Sequence, residues 1–105
     1  NGNYEYFELK GDVIIGVPAK YYLSQNYPNP FNPKTKIHFD LPEAGNVVIL
    51  LYDMLGRKAA TIINEYHTAG YHTVDFDAAE LPSGLYFYKM TAGKYAAVKK
   101  MVIIK

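Results

Sequence analysis

Apolar residues along this chain recur at every second position almost throughout, and a period of two marks strands with one buried face. Ile37, Phe39 and Leu41 alternate with Lys36, His38 and Asp40, which predicts a half-buried strand. Val47, Ile49 and Leu51 predict a second, bounded by Gly45–Asn46 before it and Asp53–Gly56 after it. His72, Val74 and Phe76 alternate with Tyr71, Thr73 and Asp75; Leu85, Phe87 and Lys89 interleave with Tyr86, Tyr88 and Met90. A last run extends from Tyr95 to Lys105, and Lys58 to Ile63 forms a weaker strand with little bulk before Ile62. No segment carries a stripe at helical spacing, and Asp77 to Leu81 has room for one short turn.

Turn chemistry separates these runs. Pro42-Glu43-Ala44-Gly45 and Ala92-Gly93-Lys94 each offer a glycine where a hairpin needs positive φ. Asp53-Met54-Leu55-Gly56 opens on a side-chain acceptor for the backbone two residues on, and Leu81-Pro82-Ser83-Gly84 sets φ with its proline. Strands spaced at roughly 8–12 residues with such turns between them predict an all-β antiparallel sandwich or barrel.

Two stretches break the pattern. Asn26-Tyr27-Pro28-Asn29-Pro30-Phe31-Asn32-Pro33 packs three prolines closely, which pins φ, removes backbone donors and excludes helix. It is expected to be extended or polyproline-like, with Tyr27 and Phe31 as its large anchors. It serves either as a stiff arm packed on the sandwich edge or as a recognition motif. Residues 1–20 read as a separate piece: Tyr4 to Leu9 and Asp12 to Val17 flank Gly11 and end at Pro18. They are expected to be a linker or the last strand of a preceding module, with the domain proper at 21–105.

Composition then removes most chemistry. The 105 residues suffice for one domain with a real core, and the absence of cysteine excludes disulfides, thiolate metal sites and cysteine nucleophiles. A net charge of +1 advertises no nucleic-acid surface, and no apolar run approaches the ~20 residues of a membrane span. His38, His67 and His72 lack the close pairing and four-ligand set of a zinc site, so no metal or other cofactor is expected. Asp75, Asp77 and Glu80 lack the calcium-loop pattern and read as solvated turn carboxylates. Ser24 and Ser83 have no nucleophile-elbow context, and no glycine-rich phosphate loop occurs. No catalytic residue is expected.

Two features remain. Tyr86 and Tyr88 share a strand face, with Tyr52, Tyr66, Tyr71 and Tyr95 scattered around it. They fill strands for β-propensity, or they form an aromatic ladder for carbohydrate or peptide. The end of the sequence, Lys99-Lys100-Met101-Val102-Ile103-Ile104-Lys105, clamps an apolar tetrad between lysines. Consecutive apolar residues suit a strand buried on both sides, or one whose outer face meets a partner, and the lysines guard against edge aggregation.

Taken in order, residues 23–105 resemble the type A C-terminal sorting domains of the type IX secretion system. The resemblance is carried by Leu23-Ser24-Gln25-Asn26-Tyr27-Pro28-Asn29-Pro30-Phe31-Asn32-Pro33, followed by Thr35, Ile37 and Phe39. Tyr52-Asp53-Met54-Leu55-Gly56-Arg57, Ala69-Gly70-Tyr71-His72, Leu81-Pro82-Ser83-Gly84-Leu85-Tyr86-Phe87-Tyr88 and the lysine-flanked end continue it. It implies an immunoglobulin-like antiparallel sandwich of about seven strands. It also implies a non-enzymatic export address on a larger cargo chain, read by an outer-membrane translocon and commonly removed by a sortase-type protease in the Leu9 to Lys20 region. The product would be secreted or held at the cell surface. Carried over by position, Lys99 to Lys105 are the candidates for recognition, and Asn26 to Pro33 a structural and recognition element. Val48 and Leu50 stand where that family usually carries polar residues, so their face is expected to pack against the N-terminal segment. Ala59 and Ala60 replace a bulkier residue there. A carbohydrate-binding or structural accessory module is the alternative function.

Overall fold

The computed structural model describes residues 17–105, so the expectations for residues 1–16 lie outside the described residues. Two antiparallel sheets face each other. One has three strands, β1 (Tyr22–Leu23), β2 (Lys34–Leu41) and β5 (Gly70–Asp77), in the order β1-β2-β5. The other has four: β3 (Gly45–Tyr52), β4 (Lys58–His67), β6 (Gly84–Ala92) and β7 (Tyr95–Ile103), in the order β4-β3-β6-β7. This is the immunoglobulin-like sandwich, with its fourth strand beside the third instead of at the edge of the opposite sheet.

The turn at 53–57 explains that placement. Asp53 Oδ1 accepts from the N–H of Leu55 (2.9 Å) and of Arg57 (3.0 Å), and Asp53 N donates to Arg57 O at 2.9 Å. A turn so fully bonded returns β4 directly against β3. The same donors, the Arg57 N–H foremost, hold the Asp53 carboxyl below the usual carboxylate range.

The alternating residues bury as their period predicts: Ile37, Phe39 and Leu41 from β2 meet Val47, Ile49 and Leu51 from β3, with Met90, Met101 and Ile103 beside them. Two expectations need correction. Gly45 does not have positive φ, and the Pro42–Ala44 connection is no hairpin, because it carries the chain from one sheet to the other. Gly93, at φ 57°, does close the β6–β7 hairpin. The weak strand from Lys58 extends to His67, further than its pattern indicated. Register shifts opposite Ile49/Leu50 and Leu51/Tyr52 leave Ile62 and Ala59 unpaired, and both turn toward the core. Two bulges in ten residues erase the period of two. Val48 and Leu50 face outward, half-buried.

Candidate functional site

β7 closes one end of the four-stranded sheet, and an edge strand there would leave a row of backbone groups open to another chain. The proline-rich arm occupies that row from Lys100 to Ile104. Phe31 forms a parallel bridge with Ile103: its N–H donates to Val102 O at 3.1 Å, and its carbonyl accepts from Ile104 N at 2.9 Å. Asn29 Oδ1 accepts from Val102 N at 2.8 Å, and the Gln25 amide donates to Lys100 O. Side chains thus complete the ladder, the Gln25 amide as a donor that no proline can supply and Asn29 Oδ1 as an acceptor. Two motifs separated by most of the domain form one surface.

A buried polar knot holds the arm in position. The Asn26 Nδ2 group donates to Pro28 O and to Thr35 Oγ1, each at 3.1 Å, while Asn26 Oδ1 accepts from Gln25 at 2.7 Å. Thr35 Oγ1 donates in turn to Pro28 O at 2.8 Å. Every polar atom of the buried Asn26 side chain is therefore satisfied, as burial requires. Ser24 Oγ accepts from His38 N at 2.9 Å, and the Tyr88 hydroxyl donates to Ser24 O at 2.6 Å. Burial pushes the Tyr88 hydroxyl up to about 12, so it stays a donor across the physiological range. Phe31 drives its ring into the core and anchors the arm. Tyr27 does not: it is 78% exposed, which corrects its expected role as a second anchor. The segment bends at Pro28–Pro30, with all three X–Pro bonds cis, instead of running as a continuous polyproline helix.

Along the last strand the side chains divide by alternation. Met101 and Ile103 are buried, Val102 is half-buried, and Lys100, Ile104 and Lys105 are exposed. Lys99 points toward the inner side and is partly covered. Beyond β7, Lys105 N donates to Ser83 Oγ at 2.9 Å and its ammonium to Ala79 O at 2.7 Å. Gln25, Thr35, Ser83 and Tyr88 escaped sequence reasoning as members of this site. Each is an ordinary polar residue whose role exists only once the arm meets β7.

The other candidates disperse. Tyr86 and Tyr88 are buried, so the expected aromatic ladder for carbohydrate is not on the surface. Tyr86 donates instead to Pro82 O at 2.8 Å, the tyrosine corner of immunoglobulin-like domains. His67 and His72 pack 4.8 Å apart around Phe39, while His38 points away to Thr73 Oγ1. No three His, Cys, Asp or Glu side chains converge on a metal position among the described residues. Asp75 pairs with Lys36 and Asp77 caps Ala79 N. Among the described residues no helix is long and apolar enough to cross a membrane.

The family described as secretion system C-terminal sorting domains matches residues 25–105, from the first residue of the arm's polar knot through the lysine-flanked end. The chain belongs to this family. It is a C-terminal sorting domain of the type IX secretion system, an address that takes a cargo chain through the outer membrane to the cell surface or the medium. The family is a sorting signal and not itself a catalyst. Among solved structures, the sorting domain resembles part of the crystal structure of dimeric latent PorU from Porphyromonas gingivalis. The two share 20% identity at a TM-score of 0.64, over 83% of this chain and 10% of that one. That likeness shows the fold, and the chain spans about a tenth of PorU's length. No curated protein matches the sorting domain.

Proposed function

We propose that Lys99 to Lys105 form the recognition element of this sorting domain and that Asn26 to Pro33 act as its positioning arm. The carrying observation is the stapled edge: Gln25, Asn29 and Phe31 hold Lys100, Val102 and Ile104 in one register, with Lys100 and Ile104 facing solvent and the exposed Lys105 tied back to Ser83 and Ala79. A reader of this element therefore meets a folded shape with a fixed charge pattern. The reading further assigns residues 21–105 to the domain, an outer-membrane translocon as reader, and a sortase-type protease acting in the Leu9 to Lys20 region. The domain supplies no enzymatic activity of its own.

The test is a secreted reporter fused ahead of the chain in a host that carries the system. Lys100→Glu with Lys105→Glu reverses two exposed charges without touching the core. Exported reporter is expected to fall at least tenfold while the melting temperature stays close to that of the parent. Export at the parent's level would sink the assignment.

A further inference from the structure

Register places the outward side chains of the four-stranded sheet in rows. Thr61, Leu50, Lys89 and Val98 lie across one row; Lys58, Tyr52, Phe87 and Lys100 lie across the next. Leu50, Tyr52, Phe87 and Val98 therefore form an apolar stripe, with lysines at intervals along it. Val98 is 58% exposed, and the other three are half-buried. Strands β3, β6 and β7 contain no Asp or Glu, and β4 has only Glu65, opposite the inward-facing Val47, whereas the three-stranded sheet carries Asp40, Asp75 and Asp77. One face of the sandwich is apolar and basic; the other is mixed.

We infer that this outward face docks a partner protein surface that is apolar with carboxylates spaced along it, as part of the recognition proposed above and resting on that reading. Charge complementarity selects the carboxylates, since Lys58, Lys89 and Lys100 pair across the sheet with Tyr52, Leu50, Val98 and Phe87 and with no acidic residue. The arm blocks strand addition along the Lys100–Ile104 stretch of β7, where it already fills the hydrogen-bonding row. Strands of this length at ~3.3 Å per residue and ~4.8 Å spacing make the face roughly 500 Å². A standard stable interface buries about 800 Å² per partner, so this face suits a contact that forms and releases rather than a stable dimer of the chain.

The experiment uses the same reporter fusion. Val98→Glu with Lys89→Glu lies on the face but outside the Lys99–Lys105 segment. Tyr71→Glu with Lys34→Glu makes the same charge change on the other sheet. Export is expected to fall at least tenfold for the first pair and to match the parent for the second, with both folded by thermal melting. Should the first pair not fold, Lys89→Glu alone carries the same readout from an exposed side chain.

Parent-level export by the face variant overturns the inference; the sorting reading survives if Lys100→Glu with Lys105→Glu still loses export, and falls with it otherwise. Loss in both Glu pairs equally also overturns it, since no face would then be distinguished. On the purified chain, three results would assign the face to another occupant and overturn the protein partner. These are a sedimenting dimer that the face variant dissociates, phosphatidylglycerol vesicle flotation that it abolishes, and dye binding that appears only when residues 1–16 are removed.

Discussion

Tyr88 reaches across the sandwich to donate its hydroxyl proton to Ser24 O, 64 residues away in sequence. Nothing else among the described residues donates to that carbonyl, so Tyr88→Phe leaves an acceptor buried and unpaired, at a cost of roughly 1–3 kcal/mol. Denaturant unfolding of parent and variant measures it. The folded hydroxyl ionises at about 12 against about 10 in the unfolded chain, so the unfolded state loses its proton first as pH rises. The stability this provides is whole below pH ~10 and disappears as pH climbs through ~12; Tyr88→Phe should reduce that dependence and leave the part due to Tyr95, whose hydroxyl burial also pushes up. The sequence shows that Tyr86 and Tyr88 share a face, but not which face is inside. Leu85 and Phe87 make the opposite side just as bulky, and only pairing with β3 and β7 decides the matter.

At the scale of elements, the arm and β7 form a unit whose bonds can be separated one at a time. Val102 N donates to a side chain, Asn29 Oδ1, whereas Ile104 N donates to the backbone carbonyl of Phe31. Asn29→Ala should therefore speed hydrogen exchange at the Val102 amide while leaving Ile104 protected; equal acceleration at both would mean that the arm detaches as a whole. Period and turn chemistry made β2, β3, β5, β6 and β7 legible, because each is a strand with one buried face and a local turn. They could not make the arm's partner legible: a parallel bridge between Phe31 and Ile103 depends on where two distant segments arrive. Gly45 failed for a related reason, since a four-residue loop with glycine looks the same whether it closes a hairpin or crosses between sheets. β4 was half-hidden by its two bulges.

For the whole molecule, the placement of Met101 and Ile103 decides how a truncation can be interpreted. Both are fully buried, and losing either side chain from a core costs roughly 2–5 kcal/mol. Deleting Met101 to Lys105 removes both, together with the acceptors and donors that anchor Phe31 and Asn29. Domains of this size hold about 5–15 kcal/mol in total, so the deletion is expected to abolish cooperative unfolding altogether. Lost export after that deletion would report an unfolded domain and would say nothing about which side chains are read. Ile104→Ser and Lys105→Glu change only exposed side chains, and their melting transitions should stay cooperative and within a few degrees of the parent. A cooperative transition in the deletion variant would contradict this account of the core. Its absence, beside folded but export-deficient point variants, would make sorting a property of the folded surface that the arm and β7 build together.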